Sequence, residues 1–247
     1  MPREVDEKVD FVVTIKIIWK SIAGVWLWFN LVTTPFILLW PELHENKTLW
    51  YALWANELVW VLDMMRKLFD KPDKSKATDV YEIAVGYLKS VFILDLIASF
   101  PSIASGLNAD LAFLKLSRIY QIWLLHYPFE AIVNLIYNKS DKRHKFVIVY
   151  ACSTVSKIMI LLHYLAITFL WIGSDAFRDY EARYLPWQLA ISDFEGYSSY
   201  KLYIFSVYWV CTVITTVGYG DYAGGTTLEL LFTIVLEFLG LVVFSVL

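Results

Sequence analysis

Six consecutive residues near the end of the chain, Thr216-Val217-Gly218-Tyr219-Gly220-Asp221, restrict its architecture more than any other stretch. Gly218 and Gly220 lack a Cβ, so the backbone there can take angles that other residues avoid. A strand with that freedom can aim successive carbonyl oxygens to one side. Four such strands around an axis build stacked rings of oxygen able to replace the water shell of a dehydrated cation. Thr216 adds a hydroxyl ring at the inner end, while Val217 and Tyr219 are expected to point away and pack the strand from behind. A Gly-rich turn after a buried helix is the plain alternative. Six residues in this order, between two apolar segments, favour the carbonyl cage.

A cage of this kind needs a membrane around it, and the composition agrees. Hydrophobic residues make up 58% of the chain and charged residues 18%, against about 25% charged in an average soluble domain. The 11 Trp and 16 Tyr are residues that favour membrane interfaces. Cys152 and Cys211 both fall in apolar segments and are expected as free thiols. The charged first ten residues lack the apolar core of a cleavable signal peptide. There is no P-loop, no dinucleotide fingerprint, no His/Cys cluster at metal spacing and no nucleophile–base set. No enzyme activity, cofactor or nucleic-acid partner is therefore expected. Two glycosylation sequons occur, at Asn46 and Asn138.

The apolar pattern predicts an all-α membrane protein with six spanning helices and one half-span. A helix needs about 20 residues to cross the hydrocarbon core. The spans are expected at 21–40, 49–68, 81–100 (stopped by Pro101), 110–127 (stopped by Pro128), 146–172, and from 227 onward. The apolar stretch 200–214 is too short to cross and suits a re-entrant helix leading into the 216–221 strand. Five Lys/Arg in 66–76 and four in 139–145 outnumber those in the alternate loops. The positive-inside rule then places both termini in the cytoplasm, with the strand opening outward. Asn46 falls outside and Asn138 inside. A plasma-membrane location is expected.

Three further segments carry a family resemblance. The run 87–101 (Tyr-Leu-Lys-Ser-Val-Phe-Ile-Leu-Asp-Leu-Ile-Ala-Ser-Phe-Pro), the pattern Leu161-Leu162-His163-Tyr164-Leu165-Ala166 followed by Trp171-Ile172-Gly173, and Phe29-Asn30-Leu31-Val32-Thr33-Thr34-Pro35-Phe36 resemble helices of the ether-à-go-go and cyclic-nucleotide-gated channels. With them, 216–221 resembles the selectivity filter of potassium channels. The resemblance implies a homo- or heterotetramer in a lipid bilayer, with K⁺ held by the backbone of Thr216, Val217, Gly218 and Tyr219. It divides the chain into a cytoplasmic segment (1–20), a four-helix voltage-sensor-like domain (21–128), a linker (129–145) and a pore domain (146–247) whose sixth helix is cut short. In the resembling family a linker and cyclic-nucleotide-binding domain follow the sixth helix; whether they follow Leu247 here, and whether a cyclic nucleotide binds, is open.

The resemblance also assigns roles. Glu57, Trp60 and Asp63 fall on one face of the second helix and, with Asp95, resemble a charge-transfer centre, where an aromatic plug separates acids that receive Lys and Arg in turn. Alternatively, Asp63 sits at the cytoplasmic interface near Arg66. On the fourth helix the every-third series reads Ala109, Ala112, Lys115, Arg118, Gln121, Leu124, Tyr127. Lys115 and Arg118 either sense voltage or serve as static partners of Glu57 and Asp95. Each charge crossing the full field couples about 2.3 kcal/mol per 100 mV, so two per subunit imply weak to moderate voltage dependence. A pore whose sensor is vestigial, and a non-conducting modulatory subunit, are the competing functions.

In the pore, Tyr208 is placed to hydrogen-bond Asp221, and Trp209 to pack against Tyr219. Gly240 is expected as a hinge or a close-packing point of the gate. Glu237, an acid in an apolar span, is expected to avoid lipid. His163 is read as a packed core histidine, Lys157 receives no role, and the acidic loop 175–195 is read as a solvated turret.

Overall fold

The computed structural model describes residues 2–70, 79–105, 109–137, 142–174, 187–190 and 198–246. Among them all regular structure is helical. The helices are α1 (Pro2–Leu39), α2 (Lys47–Phe69), α3 (Val80–Lys89), α4 (Phe92–Ser105), α5 (Tyr127–Ile136), α6 (Lys142–Ile172), α7 (Trp187–Ala190), α8 (Ser199–Ile214) and α9 (Thr227–Val246). Two 3₁₀ helices, η1 (Pro41–Glu45) and η2 (Ala109–His126), complete the set. Val13–Leu39 and Arg143–Ile172 are long and apolar enough to cross a membrane, by length and composition. The sequon at Asn138 and most of the 175–195 loop lie outside the described residues.

The chain divides into two compact units, Met1–Lys157 and Ile158–Leu247. In the first, α1 packs chiefly on η2 and α5. Close approach is possible at Gly24, where a Cβ would stand 2.5 Å from the Leu124 carbonyl oxygen and 2.9 Å from Pro128 Cδ. Ser21 Oγ donates to the Tyr127 carbonyl at 3.0 Å. Asn46 caps α2, its side-chain oxygen accepting from Thr48 and Leu49 amides at 3.0 and 3.1 Å. A small apolar cluster of Ile37, Leu53 and Ala112 sits beside a polar centre that includes Asn30, Asn56, Glu57, Asp95, Arg118 and Gln121, all buried.

Three expectations change. The span at 81–100 is two helices, broken at Ser90 (φ −101°, ψ −89°). There the serine amide and hydroxyl both return to the Tyr87 carbonyl, at 3.1 Å each, and a local bond of that kind competes with helical continuation. Pro101 lies inside α4 rather than ending it. η2 does end just before Pro128, at His126, but the chain stays helical because Pro128 lies in the first turn of α5; at a first helical turn the missing N–H costs nothing.

The form of the fourth helix is the larger finding. A 3₁₀ helix has 3.0 residues per turn, so every third side chain lies on one line. Ala112, Lys115, Arg118, Gln121 and Leu124 form that line and are all buried. Runs longer than a few residues are uncommon in this form; here the 18 residues of η2 carry polar bonds into the bundle at successive turns. In the second unit, the last part of α6 precedes α7, α8, the 216–221 strand and α9. At 16 residues, α8 extends about 24 Å, short of the roughly 30 Å hydrocarbon core.

Candidate functional site

The strand after α8 takes left-handed backbone angles at alternate residues: φ is 60° at Thr216, 49° at Gly218 and 72° at Gly220. The glycines accept this freely. Thr216 does not: a β-branched residue there is an outlier costing about 1–3 kcal/mol, and sequence reasoning reserved such angles for glycine. What holds the inner end is the C-terminus of α8. The Thr216 amide donates to Val213 O at 2.9 Å, and the Val217 and Gly218 amides both donate to Thr212 O at 3.0 Å. Among the described residues no peptide bond is cis, and in a trans peptide the preceding carbonyl points opposite to the N–H. The carbonyls of Thr215, Thr216 and Val217 are thus aimed away from α8. An added Cβ at Gly218 or Gly220 would meet nothing within 4 Å.

At the outer end, Tyr208 OH donates to Asp221 Oδ2 at 2.7 Å, and the Tyr222 amide donates to Asp221 Oδ1 at 3.1 Å. The aromatic that lies over Tyr219 is Tyr208, with parallel rings 6.4 Å apart. Trp209 instead donates from Nε1 to Tyr222 O at 2.8 Å and stacks on Phe169 with centroids 3.9 Å apart. Within one chain Trp209 therefore supports the loop after the 216–221 strand and not Tyr219. Val217 and Tyr219 remain 54% and 69% exposed, so the expected packing from behind is not supplied by the chain's own atoms.

Glu229 was missed in the sequence. It is fully buried and accepts from the amides of Trp187 (2.9 Å), Gly225 (2.7 Å) and Thr226 (3.0 Å). Its own amide donates to Thr226 Oγ1 at 3.3 Å. A Thr-x-x-Glu just before an apolar run is the capping-box signature, and Thr226 and Glu229 could have been found by it.

Gly240 sits where α9 crosses the end of α8: a Cβ would lie 2.6 Å from Ile214 O and 3.2 Å from its Cα. α9 continues through this point to Val246. Close packing explains the glycine directly. Gly240→Ala is expected to cost about 1–3 kcal/mol by overpacking, seen as reduced thermal stability of the solubilised protein. Unchanged stability with altered opening would favour the hinge instead. Glu237 is exposed on the single chain. His163 is buried, with Nδ1 2.9 Å from Tyr203 OH, as a packed histidine would be. Cys211 and Cys152 are unbonded to each other.

In the first unit, Lys115 Nζ pairs with Glu57 Oε1. The next residue along the η2 line, Arg118, lies over the Trp60 ring at 4.2 Å. Its Nη2 donates to Ser99 Oγ at 2.6 Å, and Nη1 is 3.7 Å from Asp95 Oδ1. Asp95 also accepts from Gln121 (2.7 Å), Tyr120 (2.7 Å), Tyr87 (2.8 Å) and Lys67 (3.0 Å). Asp63 is buried, bonded to Trp19 at 2.8 Å and paired with Lys67 at 2.9 Å and Arg66 at 3.0 Å. Glu57 therefore lies on one side of Trp60, with Asp63 and Asp95 on the other. The break after α3 helps bring Tyr87 to Asp95. Lys157 lines a groove of about 450 Å³ with His126, Glu130, Lys145 and Ser153.

A model described as ion transport protein matches residues 16–247. The chain is 27% identical over 246 residues to Potassium channel SKOR of Arabidopsis thaliana, an alignment covering 88% of this chain and 27% of that protein. It is 25% identical over 234 residues to Potassium channel AKT1 of the same plant, covering 88% and 25%. To Potassium channel AKT3 of Oryza sativa subsp. japonica it is 27% identical over 162 residues, covering 63% and 17%. The chain thus spans about a quarter or less of the length of these relatives. They do not single out the ether-à-go-go or cyclic-nucleotide-gated branch. With a family model matching nearly its whole length, the chain belongs to the ion transport protein family.

Proposed function

We propose that the chain is the membrane part of a potassium-selective channel subunit, conducting K⁺ as a tetramer with weak to moderate voltage dependence. The observation that carries this reading is the 216–218 backbone. The amides of Thr216, Val217 and Gly218 turn back onto α8, so the carbonyls of Thr215, Thr216 and Val217 point away from it. One strand cannot surround an ion; four copies can. Exposed Val217 and Tyr219 would then be covered by neighbouring subunits. The relatives' names, potassium channels throughout, support the choice of ion.

In this reading six segments cross the plasma membrane, α3 and α4 together forming the third. The N-terminus is cytoplasmic, 21–128 is the sensor and 146–247 the pore. Four subunits with two charges each would couple up to about 18 kcal/mol per 100 mV. A moving sensor is favoured over a static one by Arg118 itself. Its buried Nε makes no hydrogen bond and its Nη1 is held only by the 3.7 Å pair with Asp95, a looser arrangement than the bidentate carboxylate pair expected of a permanent strut.

The test is the reversal potential of the complete gene product in mixed K⁺ and Na⁺. It is expected to follow the K⁺ gradient by about 59 mV per tenfold change, the value for one electron-equivalent of charge. Near-equal permeability to the two ions, or no current from a surface-expressed protein, would overturn the reading.

A further inference from the structure

We infer that Glu229 is a positioning residue for conduction, a latch that fixes the outer end of the filter strand; the inference rests on the pore reading above. The two ends of the strand are held differently. Three backbone hydrogen bonds tie its inner end to α8. The outer end leads into an irregular loop, 221–226, before α9 begins, and a segment without its own helical bonds keeps its place only if something else fixes it.

Glu229 does this from behind. A capping box needs only one side-chain bond from its glutamate, to the N-cap amide, here Thr226. Glu229 takes two more. Gly225 donates to the same oxygen, and Trp187, 42 residues earlier, donates to the other. The carboxylate thus joins the segment before the pore helix to the loop after the filter.

Trp187 closes the circuit. Its ring is parallel to Phe169 at 5.0 Å, and its Nε1 donates to Phe169 O at 3.3 Å. Phe169 stacks on Trp209, and Trp209 holds Tyr222 O. The loop is therefore pinned at Tyr222 through the aromatic stack and at Gly225 through Glu229, and both pins run through Trp187 or its stack. There is no slack: a Cβ on Gly173 would stand 2.1 Å from Trp187 Nε1, and one on Gly224 would stand 2.7 Å from Glu229 Cβ.

The chemistry calls for a carboxylate. Three N–H donors converge on two oxygens, and an ionised carboxylate is acceptor-only. Glutamine keeps the shape but presents an NH₂ group to one set of these donors, leaving a buried N–H unpaired. Aspartate keeps the charge but is one methylene short of spanning both loops.

In the full-length channel, Glu229→Gln is expected to speed inactivation during sustained opening roughly tenfold, the effect of one unpaired buried donor. Raising external K⁺ should slow it again, because an ion bound in the ordered filter stabilises that state and no other. A defect of folding alone would lower the number of channels without this K⁺ dependence. If the parent channel carries no K⁺ current, the pore reading fails. If the parent is K⁺-selective and Glu229→Gln inactivates at the parental rate at every K⁺ concentration, the latch is overturned. Should Glu229→Gln not reach the surface, Glu229→Asp and Thr226→Val, each removing part of the box, carry the same test. K⁺-relieved fast inactivation supports the latch, and parental inactivation in both overturns it.

Discussion

Gly220→Ala is expected to abolish K⁺ current while leaving the protein at the cell surface. At φ 72° an L-residue meets its own carbonyl, at a cost of about 1–2 kcal/mol. Nothing in the same chain lies within 4 Å of the added methyl, so the penalty is conformational. The position occurs four times in a tetramer. The conducting form would lose about 4–8 kcal/mol against alternatives in which the strand relaxes, roughly a 10³- to 10⁶-fold fall in its population at 1.4 kcal/mol per tenfold.

A matched control isolates the cause. Gly86 also has open space around an added Cβ, but it lies in α3 with ordinary helical angles. Gly86→Ala should be neutral or stabilising by up to about 1 kcal/mol. Surface labelling and current recorded on the same cells would check both. Normal current from Gly220→Ala would remove the left-handed strand, and the carbonyl cage with it.

How much could be read beforehand depended on how local the cause was. The left-handed backbone at Gly218 and Gly220 was legible because glycine itself encodes that freedom. The line from Ala112 to Leu124 was legible as a period of three, yet that same period went unread as a 3₁₀ helix. The break at Ser90 was within reach of a local rule, since a serine side chain that bonds back to the chain competes with the helix, but the bond from Tyr87 to Asp95 across it was not. Tyr208 found Asp221 because only 13 residues separate them along the chain. Trp209 went to Tyr222 O and Phe169 because its ring is buried by elements distant in sequence. Glu229 was within reach of a local rule, Thr-x-x-Glu, but its third partner, Trp187, was not.

Arg118→Gln is expected to reduce the steepness of voltage gating by about half, the second large effect. Lys115 and Arg118 are the two cations on the buried line of η2. Trp60 lies beneath Arg118, with Glu57 paired to Lys115 and Asp95 near Arg118. Because η2 repeats every three residues, a shift of one turn, about 6 Å, would bring Lys115 over Trp60 and pass Arg118 toward Asp95 and Asp63.

Each position in four subunits then carries about 9 kcal/mol per 100 mV if it crosses the whole field, and removing Arg118 leaves the Lys115 share. Folding should tolerate the change better than the usual loss of about 3–5 kcal/mol for breaking a buried pair. Asp95 keeps bonds from Gln121, Tyr120, Tyr87 and Lys67. Arg118→Lys should restore the steepness and shift only the midpoint, since lysine keeps the charge but not the planar stack on Trp60. The measurement is the limiting slope of open probability against voltage in the parent and the two variants. An unchanged slope in Arg118→Gln channels that reach the surface would mean that Arg118 is a fixed partner of Ser99 and Asp95, and that the bundle is held together by its charges without being moved by them.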